Sequence, residues 1–91
     1  MRESTIEKEV CKFAKEHGCL VMKLAGPNQK GQPDRMFIRK GKVLFMEFKA
    51  PGKLPTALQW HWIGKLEDQS MKAVYVDTVE NGKWFIEQIL L

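Results

Sequence analysis

The sequence predicts an α/β protein with the element order α-β-β-β-α-β-α, a mixed sheet flanked by helices. Three observations predict it. A helix-spaced apolar stripe opens the chain. Two apolar segments then meet at Lys40-Gly41. A second helix-spaced stretch after Pro55 leads into a further apolar strand. At 91 residues the chain is expected to form a single domain over residues 1–91.

Ser4 or Thr5 is placed to cap the first helix, in which Ile6, Val10, Phe13, Ala14 and His17 recur at helical spacing before Gly18 stops it. Residues 19–24 are predicted as a short buried strand, and residues 25–32 (AGPNQKGQ) as a loop rich in glycine and polar side chains. Residues 34–39 and 42–49 are predicted as two strands. Lys40-Gly41 fits a tight hairpin turn between them, because glycine takes a positive φ freely. Pro51, Gly52 and Pro55 end the second of these strands. A helix is then expected from about Thr56 to Gln69, carrying Leu58, Trp62, Ile63 and Leu66, followed by a strand over residues 73–78. In the tail, Asn81-Gly82 suits a hairpin turn. Against that, Phe85 with Ile89 and Ile86 with Leu90 are four apart, and we read a short terminal helix.

Composition excludes several classes. Apolar residues are 44% of the chain, which excludes a disordered protein. Fifteen Lys and Arg against 11 Asp and Glu give a formal charge of +4, a balance that suits a polyanionic partner without identifying one. Cys11 and Cys19 are too few for a disulfide scaffold and are read as reduced, buried thiols of a cytosolic protein. With His17 and His61 they do not have zinc-site spacing. No apolar stretch approaches the ~20 residues that span a bilayer, and no signal-peptide core is present, so no membrane association is expected.

The residues that carry chemistry are Pro33-Asp34 and, further on, Glu47-Phe48-Lys49. Side chains two apart on a strand share a face, so Glu47 and Lys49 point the same way. With Lys40 and Gly41 as the two turn residues, Arg39 faces Lys42 and Asp34 faces Glu47. Directly opposed residues have Cβ atoms ~4.5–5.5 Å apart, and two like charges there oppose pairing. A bound cation removes that penalty. Two carboxylates with a backbone carbonyl nearby make an oxygen-rich site for Mg²⁺ or Mn²⁺. A lysine beside it can position or help activate water, or offset charge developing on a phosphate. The plainer reading is a set of solvated charges on an open sheet face. Against it, Met36, Ile38, Val43 and Phe45 share the predicted face with Asp34 and Glu47, which places the charges at the edge of an apolar row.

The PD…ExK pattern resembles the PD-(D/E)xK nuclease superfamily. The longer set Thr5-Ile6-Glu7, Gly31-Gln32-Pro33-Asp34-Arg35, Glu47 through Lys53 (EFKAPGK) and Gln59 resembles the VRR-NUC family, its compact stand-alone, phage-type members in particular. The similarity covers nearly the whole chain and is weakest at its C-terminal end. It implies a restriction-endonuclease-like core and Mg²⁺- or Mn²⁺-dependent phosphodiester hydrolysis. It implies Asp34, Glu47 and the Phe48 carbonyl as metal ligands and Lys49 as the catalytic lysine. Glu7 matches the first-helix acid that approaches the metal or its waters, and Gln59 the glutamine that helps orient the site. Stand-alone members resemble Holliday-junction resolvases and act as homodimers. The resemblance thus implies branched DNA and a second copy as partners, in the cytoplasm of a bacterial or phage-infected cell.

Taken alone, Glu7 and Gln59 read as ordinary solvated helix residues, and Glu3 and Glu9 are rivals for the role of the helix acid. Lys30, Arg35, Arg39, Lys40, Lys42 and Lys53 are expected to gather around the site, with Lys30, Arg35, Arg39 and Lys53 as DNA-phosphate contacts. Trp60, Trp62 and Trp84 suit either stacking on unpaired bases or apolar packing. Trp60, Trp62, Ile63, Trp84, Phe85 and Leu90 are the candidate material for a dimer interface. Three other functions compete: a non-catalytic DNA-binding module, which has no need of paired acids beside a phosphate; a sequence-specific restriction-type nuclease, for which the chain has little room beyond its core; and a small regulator of a replication protein.

Overall fold

A computed structural model describes residues 1–24, 26 and 30–91, so part of the loop expected over 25–32 lies outside the described residues. The elements are α1 (Glu3–Glu16), β1 (Leu20–Lys23), β2 (Arg35–Arg39), β3 (Lys42–Phe48), α2 (Ala57–Asp68), β4 (Lys72–Val76) and α3 (Val79–Leu90). This is the expected order, and the tail is a helix.

The sheet runs β1-β2-β3-β4. The first two pairings are antiparallel and the last is parallel, with α2 as the crossover that a parallel pair requires. The hairpin register is the expected one, from Arg39 opposite Lys42 to Arg35 opposite Met46. Its turn has φ 49° at Lys40 and φ 80° at Gly41, the double positive φ of the hairpin turn whose twist matches the strands.

β3 is apolar on both faces because helices cover both. Phe37, Leu44, Met46 and Phe48 are fully buried against Ile6, Val10, Ala14, Ile86 and Leu90 of α1 and α3. The row singled out in the sequence, Met36, Ile38, Val43 and Phe45, is only half-buried. The main core lies on the opposite face. α2 packs on the β4 side of this second face, and Trp60 meets Tyr75 edge-on, with ring centroids 5.4 Å apart.

Two further expectations need correction. α1 starts at Glu3, ahead of Ser4 and Thr5, and has no side-chain cap. The Arg2 carbonyl instead accepts from the Thr5 and Ile6 amides, and the Glu3 carboxylate complements the helix dipole. β1 is not a buried strand. It forms an edge, with Leu20 59% and Met22 42% exposed on the sheet face that α2 leaves open. On the core side, α3 can approach α1 closely because Gly82 sits over Val10; a Cβ there would lie 2.5 Å from Val10 Cγ2. Among the described residues no helix is long and apolar enough to cross a membrane.

Candidate active site

Asp34 stands where β2 begins. Its carbonyl accepts from the Leu24 amide (2.9 Å), and its Oδ2 accepts from the Phe48 amide (2.8 Å). The side chain is thereby turned onto the end of β3, beside Glu47. Glu47 and Lys49 share a face as alternation requires, with Lys49 Nζ 3.8 Å from Glu47 Oε2. Phe48 lies between them. Its ring is in the core and its amide is donated to Asp34, so its backbone is at the site.

Gln59 arrives from α2 through a capping box. The Thr56 hydroxyl accepts from the Gln59 amide (3.2 Å), and Gln59 Oε1 accepts from the Thr56 amide (2.8 Å). With its oxygen so held, Gln59 Nε2 donates to Glu47 Oε2 at 3.0 Å. The residue that starts the helix therefore also fixes one carboxylate oxygen. Gly31, at φ 83°, lets the loop before Asp34 pass against Leu58 and Trp62 of the same helix, where any Cβ would collide.

Among the described residues Glu47 is the only buried polar or charged side chain, at 3% exposure. Its Oε2 has Gln59, but its Oε1 has no hydrogen-bond partner among the described residues. Burial first, and the neighbouring Asp34 charge second, push its carboxyl from the ordinary 4.5 up to about 8. Burial also raises Asp34, the Phe48 amide opposes the rise, and the Glu7 charge adds to it.

α1 presents two acids here. Glu7 Oε2 receives Arg35 Nε at 2.6 Å, and its charge acts on Asp34. Glu3, one turn earlier, is held above the usual carboxylate range by partial desolvation and then by Asp34, and it also feels Lys49. Glu3 thus faces the pair as Glu7 does. Glu9 is exposed, with no described hydrogen bond or ion pair.

The expected basic cluster is divided. Arg35 is at the site. Lys53 is on the loop after β3, and that loop is held by Asp77 Oδ2, which accepts from the Gly52 amide at 3.0 Å. Sequence reading missed Asp77; only the parallel β3–β4 pairing brings it there. Lys30 is exposed beside the loop that leads to Asp34. Arg39, with Lys40 and Lys42, is not brought to the site. It lies at the opposite end of β2, roughly 17 Å along the strand. Its guanidinium donates to the His17 carbonyl (3.1 Å) and the Leu90 carbonyl (3.2 Å), tying two helix C-termini together. Of the candidate interface residues, Ile63 and Leu90 are buried, Trp62 and Phe85 half-buried, and Trp60 and Trp84 exposed.

Among the described residues no group of three or more His, Cys, Asp or Glu side chains is placed to hold a metal. The side-chain oxygens that converge are those of Asp34 and Glu47.

No family model matches the sequence. The phage protein named "Putative nuclease p44", from Acyrthosiphon pisum secondary endosymbiont phage 1, is 38% identical over 60 residues. The match covers 65% of this chain and spans 64% of the phage protein's length. A solved structure described as "VRR_NUC domain" superposes with a TM-score of 0.83 over 93% of this chain and 94% of that one, at 22% identity. This chain therefore has the VRR_NUC domain fold, the fold that the motif residues of its sequence imply.

Proposed function

We propose that this protein is a metal-dependent, structure-specific DNA endonuclease that hydrolyses phosphodiester bonds, with branched DNA as its substrate. The observation that carries the reading is the buried Glu47 carboxylate beside Asp34, with one oxygen that has no donor among the described residues. Burying an unpaired carboxylate against a like charge is expensive. A fold that builds this arrangement and braces it through Gln59 is suited to a hard divalent cation, which takes oxygen ligands. Asp34, Glu47 and the Phe48 carbonyl would hold Mg²⁺ or Mn²⁺, with Glu7 or Glu3 reaching its waters. When bound, the cation supplies positive charge that polarises a phosphodiester and favours ionisation of water.

The protein's own residues do the rest. Gln59 fixes the Glu47 carboxylate, and the Phe48 amide fixes Asp34, so neither reorganises during reaction. Lys49 holds an ammonium beside the pair, where it offsets charge growing on phosphate oxygens or orients water. Arg35, oriented by Glu7, and Lys53 and Lys30 on the adjoining loops offer contacts to flanking phosphates. The names borne by the phage relative and the structural neighbour support the nuclease reading. A non-catalytic binding module would have no use for the buried acid pair.

Two matched incisions across a four-way junction call for two sites related by two-fold symmetry, which a C₂ homodimer supplies. The interface expected at α2 and the C-terminus loses its buried members Ile63 and Leu90, and we propose instead the β1–β2 face, where exposed Leu20 and Met22 continue into Ile38 and Met36. The cytoplasm of a bacterial or phage-infected cell is the setting that fits.

Lys49→Ala tests the chemistry. It should abolish cutting of a four-way junction in Mn²⁺ while leaving affinity for the junction nearly unchanged, because Lys49 acts on the transition state. A parallel loss of binding and cutting would make Lys49 an ordinary phosphate contact.

A further inference from the structure

The exposed side of α1 carries a feature that the acid pair does not use. Lys8, Lys12 and Lys15 recur four and then three residues apart, so they line one face of the helix. With Cys11, Glu16 and Arg35 they border a groove between α1 and the start of β2. The ion pairs among the described residues are Arg35–Glu7 and Lys49–Glu47, so none of the three lysines is neutralised. Glu16 is the one acid on the groove wall. The Cys11 thiol, pushed above its usual range by burial, leaves the wall uncharged where it lies. Arg35, which follows Asp34 in the chain, lines the groove, its guanidinium aimed by Glu7.

We infer that this groove is a track for the sugar–phosphate backbone of DNA, feeding one strand towards Asp34 and Glu47. The inference rests on the nuclease reading and names a surface that the motif residues do not include. Single exposed lysines are commonly only solubilising. Here three unpaired ammoniums line a concavity whose wall includes Arg35, the residue next to Asp34 in the chain, and that arrangement fits a polyanion. From Lys8 to Lys15 the helix rises about 10 Å at ~1.5 Å per residue. A strand carries one phosphate per ~3.4 Å of duplex axis, so a stripe of this length can meet more than one phosphate.

The test is fluorescence anisotropy of a labelled four-way junction in EDTA, which prevents cutting, over a range of salt concentrations. Three proteins are compared with the wild type: Lys8→Ala/Lys12→Ala/Lys15→Ala, the same three positions changed to Arg, and Lys65→Ala/Lys72→Ala on α2 and the opposite sheet edge. Alanine favours helix at these exposed positions, so the fold should survive. For every phosphate that the protein no longer neutralises, the slope of log affinity against log salt becomes shallower by ~0.9. The alanine triple should therefore be shallower by about 2 to 3 and bind about tenfold or more weakly at moderate salt. The arginine triple should restore both, and the Lys65/Lys72 variant should change the slope less than the alanine triple does. A wild type that binds and cuts DNA, with an alanine triple of unchanged slope and affinity, overturns the track and leaves the nuclease reading standing. A wild type that does not bind DNA overturns both.

Discussion

On the proposed nuclease reading, Glu47 trades stability for function, and a single substitution can expose the trade. Its folded-state carboxyl sits at about 8 against an ordinary 4.5, so below 4.5 the proton is bound whether the chain is folded or not. Between those values only the unfolded chain releases it, and folding becomes less favourable as pH rises. In EDTA, wild-type stability measured by urea unfolding should fall from about pH 4.5 to about pH 8 and then level off. Glu47→Gln, an uncharged isostere of the protonated acid, should remove this component of the slope and be the more stable protein at pH 8, while losing activity. Equal pH slopes for the two proteins would mean that Glu47 is not the strained group. Asp34, Glu47 and Lys49 are readable in the sequence because strand alternation and a two-residue turn fix which side chains meet. Gln59 is not readable from its own surroundings, since its reach to Glu47 depends on its place in the capping box of α2. Arg39 is misplaced for a related reason: charge near a motif in sequence says nothing of which end of a strand it occupies. Asp77 is invisible because a parallel pairing, not a local pattern, delivers it.

The elements show where local signals suffice and where packing decides. α2 runs within a residue of expectation because Pro55 and Thr56 mark its start chemically. The Lys40-Gly41 turn is equally legible. β1 is misjudged since Leu20, Val21 and Met22 read as buried, yet among the described residues no element covers that edge of the open face. Asn81-Gly82 carries two meanings. The glycine is there for contact, where α3 crosses α1 at Val10. Gly82→Ala separates the two effects. Helix propensity alone favours alanine by ~1 kcal/mol. The added methyl would lie 2.5 Å from a fully buried, β-branched Val10 side chain that has little room to yield. Overpacking of that kind costs ~1–3 kcal/mol, so the variant should be less stable in a thermal melt. A stabilised variant would show that α3 can shift off α1 without penalty.

For the whole molecule, two faces of one sheet divide the labour. The side under α1 and α3 supplies the core, and the side partly covered by α2 supplies the acid pair and an unpartnered apolar strip. The sequence conveys the mixed sheet and its helices but not which face is the main core, because β3 is apolar on both. The strip at Leu20 and Met22 predicts a dimer of about 21 kDa by light scattering, twice the 10.6 kDa chain, which Leu20→Lys with Met22→Lys should return to monomer without unfolding it. A wild type that stays monomeric at micromolar concentration would remove the two-site argument for junction cleavage. The central claim is the chemistry of the Asp34–Glu47 pair. Its most direct test is incision of a labelled four-way junction, with linear duplex alongside, by purified wild type and Asp34→Asn in Mg²⁺, Mn²⁺ or EDTA. The account predicts cleavage by the wild type with either metal, faster on the junction than on duplex, none in EDTA, and none by Asp34→Asn under any condition. Cleavage that persists in EDTA, or an Asp34→Asn variant that cuts at the wild-type rate, would contradict it.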